Sequence, residues 1–376
     1  MKIITVHNKY LTASGEDTMY NNIVKIFKEQ GHLVYEYLKF SESIKWYHLP
    51  VVFFSSLWSI KNYNQFSELI KKVEPDLVYI QNLFPLISIS IIKLLFKKKI
   101  KVIFRLSNYR LICPNGILYS NQKICTKCLD NKSYLNVLYY NCEKNIIRSL
   151  NSFLRSKIIK FNYQYFQGIN YICQTEWHKK FMIAQGFASK NLFVLNNFID
   201  LRPAIEYDFF NKEQFYLYLG RDKNEKGILT FLRIAKFFPN IYFKATIKNK
   251  DYEKLDNLEY LNYLNSIDKV KFLSKAKAII FPIEWYDIFP NTIIEAMRYK
   301  CLVLVSEIIS INELCINNYN CVKYRDFDEL KNKIEMIESS KIDTKKIIDN
   351  AYKDAITLYN KNTFKKNLIN ILSKIC

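Results

Sequence analysis

Glycine and proline are scarce in this 376-residue chain, at 7 and 8 residues. Those counts exclude a collagen-like repeat and a Gly/Pro-rich low-complexity chain. Acidic residues are also few: 35 Asp and Glu stand against 56 Lys and Arg, a formal charge of +21. An excess of that size attracts phosphate, whether in a nucleic acid, an anionic membrane face or a phosphorylated small molecule. Codon bias is the plainer source of part of it, since the sequence is rich in Lys, Ile, Asn and Tyr. No recognition-helix or RNA-binding pattern accompanies the charge, so no nucleic-acid partner is expected. Long apolar runs are missing as well. Residues 50–60 are too few and residues 83–96 are broken by Lys93, against the roughly 18 needed to span a bilayer. MKIITVHNKY turns polar after five residues, without the apolar centre of a signal peptide. The expected location is the cytoplasm, at most peripheral at the inner face of the cell membrane. Nine cysteines are then expected to be reduced or metal-bound rather than bridged.

Hydrophobic residues make up 49% of the chain, enough for a large core. They are ordered as strand, loop and helix in repetition. Ile3 to His7 is a short apolar run, followed by a loop through Ser14 and Gly15 and by Met19, Ile23, Ile26 and Phe27 at helical spacing. Gly31 sits where a helix C-cap belongs. DLVYIQN, PLISISIIKLLF and IKVIFRL continue the alternation as strand, helix and strand, and INYICQ, WHKKFMIAQG and NLFVLNN resume it after an irregular insertion. The series restarts near residue 215 with FYLYLGR, GILTFLRIAKFF and IYFKATI, then AKAIIFPIE, NTIIEAMRY and CLVLVS, and residues 326–376 read as two or three basic amphipathic helices. This rhythm predicts an α/β protein of two doubly wound domains, with a ligand crevice at the carboxyl ends of their sheets. The polar, proline-containing residues 197–208 mark the boundary. The expected division is 1–200, with a Cys-rich insertion at about 110–145, then 201–355, then a helix over 356–376 that returns to the N-terminal domain.

Two segments carry the chemistry. GRDKNEKG, residues 220–227, lies between a strand and a helix. There Gly220 lets the backbone turn, Arg221 offers a planar fork for phosphate oxygens, Lys226 adds a point charge and Gly227 allows close packing at the helix start. A solvated charged turn would look similar. EWYDIFPNTIIEAM, residues 284–297, places Asp287 before a helix and Glu295 inside it, with Pro290 in the first helical turn. These acids suit the hydroxyls of a sugar and of a ribose, but an N-cap and a surface acid are the plain alternatives.

Together the two segments resemble the donor-binding half of glycosyltransferase family 4, retaining enzymes of the GT-B architecture. The matching residues are Arg221, Lys226, Asp287, Phe289, Pro290, Glu295, Ala296 and Met297. HNKYLTASGED is similar to that family's first loop, which usually holds a glycine pair near the donor phosphates. EPDLVYIQNLFPL and SNYRLICPNG resemble a subgroup associated with bacterial surface polysaccharides, and VLNNFID is similar to the interdomain segment. The resemblance implies two facing Rossmann-like domains with a cleft between them and a nucleotide-sugar donor, UDP- or GDP-linked. It places Gly15, Arg221, Lys226, Phe289, Asn291, Thr292 and Glu295 around that donor. Arg221 and Lys226 hold the pyrophosphate, Glu295 the ribose and Asp287 the transferred sugar, so that Asp287, Arg221 and Lys226 serve catalysis without a required metal. The acceptor is expected to be a glycan or lipid-linked saccharide. Departures from the family pattern are Asp287 for Glu, Ile288 for Gly, Ser14 for the first glycine of the pair and Ser107 for a His. His7 is a candidate to compensate for that His, with hydrogen-bonded structure the plainer role. A non-catalytic nucleotide-sugar or glycan-binding protein of the same fold therefore stays open beside the transferase. An epimerase or phosphorylase lacks its motifs.

Cys113, Cys125, Cys128 and Cys142 include one CxxC pair, a spacing that suits a structural zinc in a segment with little core. Free thiols are the alternative. Residues 43–63, SIKWYHLPVVFFSSLWSIKNY, mix aromatics, aliphatics and Lys as a membrane interface would, or as a buried helical hairpin would.

Overall fold

The computed structural model describes the whole chain except residues 12–13, 44–47, 200–211, 248–251 and 263. Most of the expected boundary at 197–208 and part of the aromatic segment thus lie outside the described residues. The chain forms two compact units. The first comprises Met1–Asn121, Cys125–Asn196 and Lys365–Cys376, and the second Asn197–Phe364 with Gln122–Ile124.

The first unit runs β1 (Lys2–Lys9), α1 (Gly15–Glu29), β2 (Leu33–Phe40), α2 (Leu49–Leu57), α3 (Ile60–Val73), β3 (Leu77–Asn82), α4 (Ser90–Lys97) and β4 (Lys101–Arg105). The Cys-rich stretch follows, with short elements β5 (Tyr119–Ser120), β6 (Lys123–Ile124, grouped with the second unit), α5 (Lys127–Asp130) and α6 (Asn136–Tyr139). Then come α7 (Ile146–Phe161), β7 (Asn170–Cys173), α8 (Glu176–Ala184) and β8 (Leu192–Val194). Six parallel strands align as β2-β1-β3-β4-β7-β8. β3, LVYIQN, is buried at every position, as a parallel strand covered on both faces must be. In α1 the apolar stripe Met19, Ile23, Ile26 and Phe27 is buried, and a Ser14/Asp17 capping box starts the helix. Gly31 takes φ +78° two residues past the last helical turn, where a left-handed C′ residue belongs.

The second unit runs β9 (Glu213–Tyr218), α9 (Ile228–Phe237), β10 (Tyr242–Ala245), β11 (Leu258–Tyr260), α10 (Ser266–Lys275), β12 (Ala276–Phe281), α11 (Asn291–Arg298), β13 (Leu302–Ser306) and β14 (Val322–Tyr324). Three helices end the chain: α12 (Phe327–Glu338), α13 (Thr344–Thr357) and α14 (Lys361–Ile375). Its parallel order is β11-β10-β9-β12-β13-β14, so the strand order reverses between β9 and β12. Tyr216, Phe231, Ile234, Phe243, Ile280, Leu304 and Leu330 form the apolar layer between sheet and helices. Both units are doubly wound Rossmann-like domains, the architecture the alternation predicts.

Some local expectations need correction. PLISISIIKLLF is not helical throughout: α4 begins at Ser90, because Ser88 turns the chain with φ +71°. Residues 49–73 do form a helical pair, but α2 is not buried, since Leu49, Val51 and Phe54 are more than half exposed. Pro290 stands at the N-cap of α11 rather than in its first turn.

Candidate functional site

In an open parallel sheet, ligands bind beyond the carboxyl ends of the strands where the order reverses. In the second unit that point lies between β9 and β12, and the segments 220–227 and 284–290 follow those two strands. Their loops are tied together by the backbone, as Glu284 N–H donates to the Glu225 carbonyl at 3.1 Å. The Tyr218 hydroxyl, buried at the end of β9, donates toward the carbonyls of Arg221 and Lys226 at 3.2 and 3.3 Å. Gly220 makes room for it: a Cβ there would lie 2.6 Å from that hydroxyl. Gly220 thus leaves the space that this hydroxyl occupies. Gly227 is doubly constrained, with φ +72° and a Cβ position 1.6 Å from the Pro282 carbonyl oxygen.

This scaffold aims Lys226 at Asp287. Their Nζ and Oδ2 are 2.7 Å apart in a mostly buried ion pair, with side-chain exposures of 17% and 10%. The same ammonium stands 4.8 Å from the Trp285 ring centroid, a cation–π contact. The Trp285 Nε1 is buried without a hydrogen-bond partner among the described residues. Asp287 is therefore not the N-cap of α11. Arg221 is exposed on the same loop, with no side-chain partner among the described residues. Glu295, a turn into α11, is ion-paired with Lys269 of α10. The Phe289 ring packs edge-on against Tyr359 at 5.7 Å, while Asn291 Oδ1 accepts from Asn197 Nδ2 at 2.7 Å. Thr292 is half-buried at the second position of α11. Sequence reasoning missed Lys269, which carries no motif. It also missed Trp285, whose place inside EWYDIFPN was the available signal.

Gly15 lies in the other unit, as the first residue of α1, beside Glu16 and Asp17. Two carboxylates in that first turn disfavour a phosphate. His7, at the end of β1, is fully buried, with Nε2 2.7 Å from Asp17 Oδ1 and its ring stacked on Tyr20 at 4.5 Å. Burial alone would raise the Asp17 carboxyl, but hydrogen bonds from His7 and Ser14 outweigh it and hold the group below its usual range. Next to it, Tyr10 OH donates to Glu16 Oε2 at 2.8 Å and accepts from Arg110 Nη1 at 3.3 Å. Burial pushes the Glu16 carboxyl up. This chain was not visible in the sequence, because Arg110 is a hundred positions from Tyr10. Ser107 Oγ accepts from Gln81 Nε2 at 2.7 Å, just past β4. Among the described residues, no three His, Cys, Asp or Glu side chains stand arranged to hold a metal ion, and no helix is long and apolar enough to cross a membrane.

Comparison with known proteins agrees with this geometry. Residues 205–354 match the family described as Glycosyl transferases group 1, and that stretch contains both loops. A relative from Klebsiella pneumoniae, an uncharacterized 42.6 kDa protein in the cps region, is 28% identical over 296 residues, covering 76% of this chain and 72% of its own. Among solved structures, HepE of Anabaena in complex with UDP and glucose superposes at a TM-score of 0.64 with 14% identity over the whole of both chains. The lipopolysaccharide outer core galactosyltransferase WaaB superposes at 0.61 with 16% identity, again over the whole of both. The fold is that of the GT-B glycosyltransferases. The matched domain supports a glycosyltransferase enzyme.

Proposed function

We propose that this enzyme transfers a sugar from a nucleoside-diphosphate donor, with retention at the anomeric carbon, onto a glycan or lipid-linked acceptor of bacterial surface polysaccharide. The observation that carries the reading is the Lys226–Asp287 pair at the β9/β12 reversal, beside the free cation Arg221. An ammonium has three donors, so Lys226 can hold Asp287 and still offer N–H groups to a diphosphate. Asp287 keeps Oδ1 for hydroxyls of the transferred sugar. As the bond from the anomeric carbon to the diphosphate oxygen breaks, negative charge grows on the leaving group, and Arg221 and Lys226 stabilise it. The acceptor hydroxyl forms the new bond on the same face and passes its proton to the departing diphosphate oxygen. Glu295, released from Lys269, takes the ribose hydroxyls, and the backbone around Phe289, Asn291 and Thr292 lines the approach. The UDP bound by HepE and the cps setting of the Klebsiella relative support the donor class and the pathway.

The acceptor side is assigned to the first unit. There Leu49, Val51 and Phe54 of α2 and Ile146, Ile147 and Leu150 of α7 are exposed, on helices joined by a Ser56–Asn151 hydrogen bond of 3.0 Å. Exposed Lys144 and Arg148 adjoin them, a pairing of apolar and basic groups that suits a peripheral contact with anionic lipid. The test is calorimetric binding of UDP, GDP, CDP and their common sugars to wild type and Arg221→Ala, followed by an acceptor screen. One saturable diphosphate, weakened roughly ten- to a hundredfold in the variant, is expected. Equal binding by both proteins overturns the donor-site assignment.

A further inference from the structure

The Cys-rich stretch between Cys113 and Cys142 lies outside the two loops assigned to the donor, and its construction needs explaining. Between Cys113 and Cys142 the regular structure amounts to two two-residue strands and two four-residue helices. The buried large apolar side chains within it are Leu118, Tyr119 and Val137. The backbone is also held in an unfavourable shape: Leu118, Asn121, Gln122, Lys132 and Asn141 all have φ between 43° and 58°, without a glycine among them. So small a core does not by itself hold five left-handed residues in place. Something besides hydrophobic burial closes the segment.

Four thiols are gathered where the closure would act. Cys113, Cys125, Cys128 and Cys142 all border one small cavity, together with Leu118, Tyr119 and Val137. None is bridged. Cys113 is held at the end of a turn by its N–H donating to the Tyr109 carbonyl at 2.7 Å, Cys125 by donating to Leu118 at 2.8 Å, and Cys142 by donating to Val137 at 3.1 Å. Cys128 lies in the first turn of α5, two residues after Thr126 and on the other side of the CxxC loop from Cys125. As the side chains stand, Cys113 Sγ donates to Asn115 Oδ1 at 2.9 Å and Cys142 Sγ to Ser120 Oγ at 3.6 Å. No three of the four thiols stand arranged for a metal as they are, so joining a common ion requires at least these two to turn from those partners.

We propose that these four cysteines bind one structural zinc ion as a tetrathiolate. Four sulfur ligands, one CxxC loop and two flanking cysteines meet the preference of zinc for a closed tetrahedral site. The thiol protons pass to solvent on binding, and the ion with its four thiolates carries a net charge of −2. Residues 113–144 hold four lysines (Lys123, Lys127, Lys132 and Lys144) against Asp130 and Glu143, a balance of +2 that offsets it. The site closes the turn that leads back to Arg110. Gly116 N–H donates to the Cys113 carbonyl, Tyr109 N–H donates to the Gly116 carbonyl, and a Cβ on Gly116 would strike Arg110 Cγ at 2.5 Å. Zinc would thus fix the loop that carries Arg110 to Tyr10, a role independent of whether the donor site is correctly assigned.

The experiment uses the full chain, expressed with added zinc and purified without chelator. Plasma emission should find about one zinc per chain, and exchange with cobalt(II) should give the intense visible bands of a tetrahedral thiolate site. The double variant Cys125→Ser/Cys128→Ser should lose both signals, while Cys376→Ser, on the exposed terminus, should keep them. Should the double variant fail to fold, cobalt loading of chelator-stripped wild type still decides the matter. Metal content below about a tenth of an ion per chain with no thiolate spectrum overturns the proposal. So does unchanged zinc in the double variant, or a thiol count that rises by two on reduction. None of these readouts depends on transfer activity.

Discussion

At the scale of single residues, the Lys226–Asp287 pair makes a prediction that separates binding from folding. Removing one partner of a mostly buried pair leaves the other charge uncompensated, which typically costs ~3 kcal/mol or more. Lys226→Ala should therefore lower the melting temperature as well as donor affinity, whereas Arg221→Ala, exposed and unpaired, should lower affinity alone. Adding Asp287→Asn to Lys226→Ala should restore most of the stability and none of the donor binding. Thermal melts and calorimetry on the four proteins check this, and equal melting temperatures would show the pair to be energetically idle. Glu295 gives a second case. If it holds the ribose, Glu295→Gln should weaken a nucleoside diphosphate by about tenfold and leave inorganic pyrophosphate unaffected. Parallel loss of both ligands would place the residue elsewhere.

At the scale of elements, the junction between β9 and α9 depends on Gly227. An alanine there must adopt a left-handed φ and meet the Pro282 carbonyl, so Gly227→Ala should destabilise the second unit by roughly 3 kcal/mol or prevent its folding. Denaturant unfolding measures it. In the first unit α8 carries His178, fully buried, whose Nδ1 accepts from Gln174 N–H at 3.5 Å. Burial, with Arg105 adding to it, pushes the imidazole down to about 3. Because the folded value lies below the unfolded one near 6.5, the unfolded chain binds the proton first as pH falls. Stability is complete above about 6.5 and declines toward 3, by at most ~1.4 kcal/mol per pH unit. The depressed Asp17 carboxyl acts in the same direction but only below its ordinary range near 4. Between pH 6.5 and 4 His178 should thus contribute the main slope, with the depressed His32 adding to it and the raised Glu16 carboxyl opposing it, and His178→Gln should flatten it in urea titrations. An unchanged slope would assign the acid sensitivity to other groups.

At the scale of the whole molecule, α14 starts in the second unit and ends in the first, where Leu368, Ile371 and Leu372 are buried. Lys365 also pairs with Glu29 at 2.6 Å. Truncation after Asn360 should accordingly destabilise the first unit, although the deleted residues are the last in the chain. Hydrogen exchange should show protection lost in α1 near Glu29, and intact protection there would make the helix an appendage.

The sequence by itself determined the class of fold and singled out the two loops to which we assign the chemistry. Strands such as β3 and β12 are nearly continuous apolar runs, helices such as α1 repeat at 3.6 residues, and each signal is local enough to survive without coordinates. GRDKNEKG and EWYDIFPNTIIEAM were legible for the same reason, since each is one uninterrupted loop. Strand order put those two loops side by side, and only the tertiary structure showed that Lys226 binds Asp287 across 61 positions, that Lys269 occupies Glu295, and that Tyr10 joins Arg110 to Glu16. It also showed that Gly227 is required by the Pro282 carbonyl, 55 positions further along the chain. Local propensity is written in neighbouring residues, whereas which charge meets which depends on chain crossings that no short window of sequence contains.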